Sequence, residues 1–387
     1  MRFIKYGLRC LIRIYFSVLY EFFRMITNVD ENKVLFISDV RGKLEGNLAC
    51  VWDYLDDKQY LKTCYLKNDR RDIISIKKFN QMIYDFATSK YILLEDYFRY
   101  TSYVRTKKEQ EICQLWHACG AYKKFGYSRA NGTENIKIHK GYKKYTKVIT
   151  SSEGIRDKYA EAFGVSLDKV KATGIPRTDI FFDKNISEKI RKRLYQKYPV
   201  FKEKKIILFA PTYRGVRAED ASYDFSRLDY ERIYKQLNGE YIFLIKWHPA
   251  LYNNLKKSDT FTRYIKSYED FYIDLSSERE INELLLIADV LITDYSSVIF
   301  EYALLDKPII YFTYDLEKYR NGRGLYYKFE EYIYGDVVCN CDELITAIRK
   351  ENMENEKRKI FIDRFMSACD GKSTEKACKW IFNNIKD

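Results

Sequence analysis

The chain has 387 residues, of which 46% are hydrophobic and 32% are charged. This length suits two ordinary domains, and the composition is that of a globular protein, which excludes a disordered or membrane-spanning chain. Because 68 Lys and Arg residues outnumber 55 Asp and Glu residues, the net charge of +13 favours an anionic partner. Nucleic acid, anionic lipid and a phosphorylated substrate all fit that charge. The nine cysteines include no CxxC pair, so a zinc site is not expected.

Residues 2–25 are the one possible targeting segment. Arg2, Lys5, Arg9 and Arg13 recur every three or four residues, so a helix here would carry a basic stripe beside an apolar remainder. The segment has neither a long uncharged apolar run nor a small-residue cleavage pattern, so we expect no membrane span and no signal peptide. Two interpretations stay open. The helix lies in the plane of an anionic membrane, or it packs on the first domain.

Short apolar runs alternate with charged helical segments along the chain, which predicts parallel sheets and an α/β fold class. The first series extends from VLFIS at 34–38 to KVKATG at 169–174, and the second from IILFAP at 206–211 to PIIYFT at 308–313. A charged stretch at 181–204 separates the two series. We therefore expect two doubly wound domains facing a cleft, because ligands bind beyond the carboxyl ends of the strands in such sheets.

Polar residues stand at the ends of predicted strands in the second series. LFAPTYRG places Thr212 and Arg214 on one face of the chain. KWHP places Lys246 and His248 on one face, with Trp247 opposite. Side chains with these charges and hydrogen-bond donors are suited to an anion.

The stretch LITDYSS supplies another strand end. It finishes at Asp294, and Ser296 or Ser297 precedes an apolar run that begins near Val298. A helix N-terminus offers unpaired N–H groups and a partial positive charge, so it attracts anions. Plain N-capping would explain the serines alone. Together with the other strand ends, they predict a diphosphate site that needs no metal.

ICQLWHACG, at 112–120, ends a strand of the first series at His117. A neutral imidazole can accept a proton from an attacking hydroxyl, which a group transfer to an alcohol requires. Since His117 and His248 both close strands, we expect both to open onto the cleft as catalytic residues. For either one alone, a purely structural role is an open alternative.

Several familiar motifs are missing. GKST at 371–374 resembles the end of a P-loop, but Met366 stands where that motif requires Gly. The chain has no GxGxxG, HExxH or GxSxG and no Asp-x-Asp pair that would carry a metal to a nucleotide diphosphate. We expect no metal and no cofactor.

Seven motifs follow one another along the chain, in the order QLWHACGAYKKFG, VITSSEGIRDKYAEAFGV, TGIPRTDIFF, LFAPTYRG, KWHP, DVLITDYSSVIFEYALLDKPIIYF and GRGLYY. This ordered set resembles the CDP-glycerol glycerophosphotransferase family of teichoic-acid synthesis, and the resemblance extends from about residue 34 to about residue 340. It implies a GT-B-like fold of two Rossmann-like domains. The predicted parts are an amphipathic membrane-association helix at 1–28, an acceptor-binding domain at 29–185, a CDP-alditol donor-binding domain at 200–370, and a last helix at 371–387 that packs back on the first domain.

The resemblance also implies a reaction and its participants. A hydroxyl of a lipid-linked glycan, carried on polyprenyl diphosphate, attacks the donor phosphate of CDP-glycerol or CDP-ribitol, and CMP leaves. His117 would be the base, and Glu301 and Asp294 would lie at the donor ribose or nucleotide. The groups that would bind the donor diphosphate are Lys246, His248, Ser296, Ser297, Arg214, Thr212 and Arg323. The enzyme would work as a peripheral protein on the cytoplasmic face of the cell membrane.

The chain departs from the family pattern at two motif positions. Ala118 follows His117 where the family usually has Gly, and Lys246 stands where Arg is frequent. The short chain favours a primase or short-chain transferase over a long-chain polymerase.

A GT-B glycosyltransferase that uses a nucleotide sugar is an alternative function. A second alternative is a basic protein that binds nucleic acid. The basic clusters of this chain, at 2–13 and 137–147, suit anionic lipid equally well, so we expect no nucleic acid as a partner.

Overall fold

The computed structural model describes residues 2–68, 72, 74–129, 140–215, 218–256, 261–278 and 280–382. The chain divides into two compact units, of which the first comprises Met1–Asp179 with Ser367–Asp387 and the second comprises Ile180–Met366. Within the described residues, each unit contains one six-stranded sheet whose strands all pair in parallel. This architecture confirms the predicted α/β fold class.

The first unit has the strand order β2-β1-β3-β4-β5-β6. Its strands are β1 (Asp30–Ser38), β2 (Leu61–Leu66), β3 (Ser89–Leu94), β4 (Glu111–Gln114), β5 (Lys147–Thr150) and β6 (Val170–Ala172). The helices before the second unit are α1 (Arg2–Ile26), α2 (Gly46–Tyr54), α3 (Ile76–Thr88) and α4 (Arg156–Phe163). The residues of β1 from Lys33 to Ser38 are all buried, as expected for a parallel strand covered on both faces.

The second unit has the strand order β12-β11-β10-β7-β8-β9. Its strands are β7 (Lys205–Phe209), β8 (Tyr241–Ile245), β9 (Tyr272–Asp274), β10 (Val290–Thr293), β11 (Ile309–Phe312) and β12 (Asp336–Val338). Its helices are α5 (Lys184–Lys197), α6 (Tyr230–Leu237), α7 (Pro249–Leu255), α8 (Thr262–Ile265), α9 (Ile281–Ile287), α10 (Val298–Tyr302), α11 (Leu316–Arg323), α12 (Cys341–Lys350) and α13 (Asn355–Phe365). The polar ends of β7, β8 and β10 lie along one edge of this sheet, because its strands are parallel.

Helix α1 packs on the first unit by one face. Phe16 and Tyr20 are fully buried, and the Phe16 ring lies 4.4 Å from the ring of Tyr100. The Tyr20 hydroxyl donates to the carbonyl of Arg105 at 3.0 Å. Among the described residues, no helix has the length and apolar character needed to cross a membrane. One face of α1 thus packs on the first unit, and contact of its other face with a membrane stays a prediction.

The chain returns to the first unit in helix α14 (Ser373–Ile381). The Asp179 carboxylate accepts the N–H groups of Ser373 and Thr374 at 2.9 and 2.7 Å. At the other end, the Lys147 ammonium donates to the carbonyl of Ile381 at 2.7 Å. Each charge has the sign that stabilises its helix end. The P-loop-like GKST therefore begins a helix whose N-terminus binds a carboxylate of the protein itself.

Candidate active site

The carboxylate of Asp294 follows β10 and joins neighbouring strand ends. Its Oδ1 accepts the N–H of Thr212 at 2.7 Å and the N–H of Tyr295 at 2.6 Å, and its Oδ2 accepts from Nη1 of Arg214 at 2.9 Å. The residue is 1% exposed. Both oxygens therefore hold the loops after β7 and β10 in place, and the predicted contact of Asp294 with the donor nucleotide stays a prediction.

Arg214 links these loops to the end of β11. Its Nε and Nη2 donate to the two carboxylate oxygens of Asp315 at 2.6 and 2.8 Å, and Nη1 also donates to the carbonyl of Thr212 at 2.5 Å. Although burial opposes the charge, Asp294 and Asp315 raise the pKa of Arg214. A guanidinium has five N–H donors, and these bonds engage four of them. The predicted contacts of Arg214 and Thr212 with the diphosphate are untested, and the observed bonds make Arg214 a cross-link within the second unit.

Aromatic rings surround this guanidinium. Its central carbon lies 5.2 to 5.7 Å from the ring centres of Tyr295, Tyr319, Tyr314 and Tyr223. The rings of Tyr295 and Tyr319 stack at 3.9 Å, and the Tyr295 hydroxyl donates to Asp315 at 3.1 Å. Cation–π contacts are strongest where water is excluded, so these rings stabilise the charge of Arg214 in its half-buried position.

Burial of Trp247 fixes the KWHP motif after β8. The Trp247 side chain is fully buried, with its ring 4.9 Å from Phe261 and 5.2 Å from Tyr223. The backbone N–H of Trp247 donates to Oγ of Ser276 at 2.8 Å. The adjacent Lys246 is 5% exposed, and its Nζ donates to the carbonyl of Ser276 at 3.3 Å. The ammonium is thus held close to the sheet rather than extended into solvent.

His248 occupies the N-cap position of α7. Its Nδ1 accepts the N–H of Ala250 at 3.1 Å, and the side chain is exposed. A ring nitrogen that accepts a backbone N–H carries no proton, so the neutral imidazole has its proton on Nε2. The ring therefore offers a hydrogen-bond donor at Nε2. This geometry favours binding of a phosphate oxygen over removal of a proton.

The serines after β10 differ in their bonds. Helix α10 begins at Val298, as predicted, and Ser297 is its N-cap residue but makes no capping bond with its side chain. Oγ of Ser296 instead accepts the N–H of Val298 at 3.4 Å. The α-helix is five residues long and continues as a 3₁₀ turn, Ala303–Leu305, so its dipole is weaker than that of a long helix. Binding of diphosphate at this terminus stays a prediction.

The remaining predicted donor contacts are less accessible or lie outside the described side chains. Glu301 is in α10 and is 2% exposed, so a bound ribose would reach it only after local rearrangement. Arg323 is the last residue of α11, and its side chain lies outside the described residues. The roles predicted for both residues are untested.

In the first unit, His117 stands beyond the end of β4. Its Nδ1 lies 3.2 Å from the carbonyl oxygen of Glu95, which follows β3. A carbonyl only accepts hydrogen bonds, so Nδ1 carries the proton and Nε2 has a lone pair in the neutral ring. His117 thus has the proton arrangement that a general base requires, with an exposed side chain.

The surroundings keep this imidazole neutral. Desolvation by the surrounding protein lowers the pKa of His117, although the side chain reaches solvent, and the positive charges of Arg177 and Arg41 lower it further. Asp96 and the bond to the Glu95 carbonyl act in the opposite direction, but the net shift is downward. At neutral pH the ring is therefore available to accept a proton.

Sequence reasoning missed the residues that support His117. Arg41 donates from Nε to the carboxylate of Glu95 at 2.6 Å, and Glu95 is 1% exposed. Trp116 has a φ of 55°, and such a left-handed backbone costs a residue with a Cβ about 1–3 kcal/mol. The amide of Asn47 donates to the carbonyl of Trp116 at 2.8 Å. A usable signal was the run of polar residues, DVRGKLEGN, directly after the first predicted strand.

Comparison with known proteins agrees with these strand-end motifs. The sequence model of the family described as CDP-Glycerol:Poly(glycerophosphate) glycerophosphotransferase matches residues 19–383. The chain belongs to this family. The resemblance seen in the sequence motifs is confirmed, and the match includes every residue predicted for the site.

The chain is also similar to two named teichoic acid polymerases. The chain is 43% identical to the teichoic acid poly(ribitol-phosphate) polymerase of Bacillus spizizenii, over 95% of this chain and 58% of that protein. It is 37% identical to the teichoic acid ribitol-phosphate polymerase TarL of Staphylococcus aureus, over 91% of this chain and 63% of that protein. The chain therefore spans less than two thirds of the length of either polymerase.

A solved structure of the wall teichoic acid polymerase TagF, soaked with CDPG, has the same fold. The two structures superpose with a TM-score of 0.78 over 98% of this chain and 97% of the TagF chain, and the sequences are 22% identical. This agreement confirms the predicted fold class for the family member described here.

Proposed function

We propose that the protein transfers ribitol phosphate or glycerol phosphate from a CDP-alditol to a hydroxyl of a lipid-linked glycan and releases CMP. The observation that carries this proposal is the proton arrangement of His117, whose Nδ1 donates to the Glu95 carbonyl. Family membership supplies the class of donor. The polymerases of Bacillus spizizenii and Staphylococcus aureus are both named for ribitol phosphate, which favours CDP-ribitol as the donor.

In this reaction His117 takes the proton of the acceptor hydroxyl at Nε2. The hydroxyl oxygen attacks the phosphorus that carries the alditol, a new P–O bond forms, and the bond to CMP breaks. The bond from Nδ1 to the Glu95 carbonyl stabilises the imidazolium that results, because that carbonyl keeps its partner through the step. Because its pKa is lowered, His117 is already neutral before the acceptor binds, and no other group has to remove a proton from it first.

The phosphate gains negative charge as the bond to CMP breaks. In the proposed mechanism, the Nε2–H of His248 and the ammonium of Lys246 donate to its oxygens, with the hydroxyls of Ser296 and Ser297 as further donors. Donors already fixed by the protein stabilise developing charge without reorganisation. The cap that His248 makes on Ala250 and the burial of Trp247 hold two of these donors in place.

We further propose that α1 attaches the protein to the anionic membrane that carries the acceptor. The face of α1 opposite Phe16 exposes large apolar side chains, which are Leu8, Leu11, Val18, Phe22 and Met25, at 48% to 70%. These residues are spaced by three, four or seven positions and so form one stripe along the helix. Apolar burial in the headgroup region together with basic residues gives binding that depends on anionic lipid.

Sedimentation with vesicles tests the membrane proposal. Wild-type protein should sediment with vesicles that contain phosphatidylglycerol and not with purely zwitterionic vesicles. The double variant Leu11→Ser, Val18→Ser should lose most of this binding. Ile360→Ser is the matched control, because Ile360 is 68% exposed on α13 in the second unit. Equal binding by the double variant and the control would reject this role of α1.

A donor screen with product masses tests the proposed reaction. Purified protein is incubated with CDP-ribitol, CDP-glycerol or a UDP-sugar and a lipid-linked glycan, and CMP release and product mass are measured. We expect CMP and a mass increase of one or more alditol phosphate units, which also separates a primase from a polymerase. Transfer from the UDP-sugar alone would identify a glycosyltransferase and reject the proposal, as would the absence of turnover with every donor.

A further inference from the structure

A buried amide connects two segments beside His117. Asn47 lies in the first turn of α2 and is 1% exposed. Its Nδ2 donates to the carbonyl of Trp116 at 2.8 Å and reaches the carbonyl of Leu115 at 3.5 Å. Its Oδ1 accepts the N–H of Arg177 at 3.0 Å. Donors and acceptors match on both sides of the amide, so its orientation is determined by its partners.

The segment that Asn47 holds has an unusual backbone. Trp116 adopts a φ of 55°, a left-handed conformation that residues with a Cβ rarely occupy. Its N–H donates to Oε1 of Gln114 at 2.9 Å, and its carbonyl accepts from Asn47. Its ring stacks on Phe125 at 5.0 Å. Such a conformation persists only where the surroundings hold it, and here a side-chain bond holds both the backbone N–H and the backbone carbonyl of the residue.

We propose that Asn47 is a positioning residue for His117. By holding the Trp116 carbonyl, it keeps the left-handed turn that directs Nδ1 of His117 at the carbonyl of Glu95 and leaves Nε2 as the proton acceptor. The expected effect on kcat rests on the proposed function, whereas the protonation state of the His117 ring can be measured without turnover.

The first unit offers a matched control for this amide. Gln110 is 3% exposed, and its Nε2 donates to the carbonyls of Phe86 and Ser89 at 2.7 and 2.9 Å. Gln110 is therefore as buried as Asn47 and likewise donates to two backbone carbonyls. Its carbonyl partners lie at the end of α3, whereas those of Asn47 directly precede His117. Asn47→Ala is compared with Gln110→Ala, and Asn47→Asp with Gln110→Glu.

The isosteric variants separate positioning from packing. Asn47→Asp keeps the oxygen that accepts from Arg177 but places a carboxylate oxygen opposite the carbonyls that received Nδ2. We expect both Asn47 variants to lower kcat about 100-fold, because small displacements of a catalytic group have losses of that order, with KM for the CDP-alditol changed less than about threefold. The Gln110 variants should keep kcat within about twofold, even where their Tm falls as far as that of the Asn47 variants.

Histidine NMR provides the readout that does not depend on turnover. The chain has three histidines, so ¹⁵N-histidine labelling gives few signals, and His117→Ala assigns the ring of interest. In wild-type protein His117 should show the Nδ1–H form. In Asn47→Ala it should shift toward the Nε2–H form and titrate closer to an ordinary histidine, as the groups that face it, Arg41, Asp96 and Arg177, lose their fixed distances. The Gln110 variants should leave the signal unchanged.

Each result has a defined meaning. An unchanged His117 signal in folded Asn47→Ala and Asn47→Asp would overturn the inference, and so would kcat losses in the Gln110 variants equal to those in the Asn47 variants. Absence of turnover in wild-type protein would reject the proposed function alone. In that case a shifted His117 signal in the Asn47 variants, with an unshifted one in the Gln110 variants, would still support the positioning role.

Discussion

The strand end that carries His117 in the first unit and the strand end that carries His248 in the second unit place their imidazoles in opposite states. Nδ1 of His117 donates to a carbonyl, whereas Nδ1 of His248 accepts a backbone N–H. The neutral rings therefore have their protons on different nitrogens. One ring presents a lone pair and the other presents a donor, although the sequence places both after an apolar strand.

The two units also differ in the charges at their strand ends. Near His117, desolvation lowers the pKa of the imidazole, Arg177 and Arg41 lower it further, and Arg41 is itself held by Glu95. In the second unit, Arg214 is paired with Asp294 and Asp315, and this network cross-links loops. Desolvation and neighbouring cations thus keep an imidazole neutral in one unit, and a half-buried ion network fixes strand ends in the other. The strand ends of the two sheets therefore have different electrostatic surroundings.

The largest expected effect comes from removing the base. His117→Gln should lower the rate of CMP release about 1000-fold, because general base catalysis contributes roughly 10²–10⁴ and an amide cannot accept the proton. Initial rates at saturating donor measure this. A rate within about tenfold of wild type would show that His117 is not the base, and that its difference from His248 has no catalytic meaning.

The second expected effect concerns stability. Arg214→Met leaves the buried carboxylate of Asp294 and the half-buried carboxylate of Asp315 without their cationic partner. The free energy of unfolding should therefore fall by about 3–5 kcal/mol, as measured by urea titration of the full chain. Arg227→Met is the control, because Arg227 is 54% exposed in its pair with Asp224 and should cost less than about 1 kcal/mol. Equal losses in the two variants would mean that the Arg214 network is not a stabilising cross-link.

The third prediction tests the donor role of His248. His248→Ala should lower kcat about 100-fold, because one fixed donor to a developing charge is worth about that much. His248→Gln places an amide N–H near the position of Nε2, so its kcat should be about tenfold higher than that of His248→Ala. His117→Gln should have no higher kcat than His117→Ala. Recovery at both positions or at neither would remove the distinction between the two rings.

The smallest expected effect is a shift in the pH profile. Because the pKa of His117 is lowered, kcat/KM should fall only below about pH 6.5, where the ring takes up a proton. The charge of Asp96 raises this pKa, so Asp96→Asn should move the acid limb to still lower pH. Asp157→Asn, on α4, should leave the limb in place. An upward shift in Asp96→Asn would contradict the electrostatic account of His117.

Local patterns in the sequence determined a large part of this protein. Apolar runs broken by charged segments predicted both parallel sheets, because strand and helix periodicities depend on neighbouring residues. The polar residues after those runs predicted which residues stand at the strand ends. The motif order then indicated the family, because motifs such as KWHP and LITDYSS can be read directly from the chain.

Only the tertiary structure decided which partners those residues bond. The carbonyl that sets the proton position of His117 is 22 residues away, the carboxylate that engages Arg214 is 101 residues away, and the amide that holds Trp116 is 69 residues away. A hydrogen bond fixes the state of a ring or a guanidinium through its partner. No local pattern specifies a partner that is brought close only when the sheet assembles.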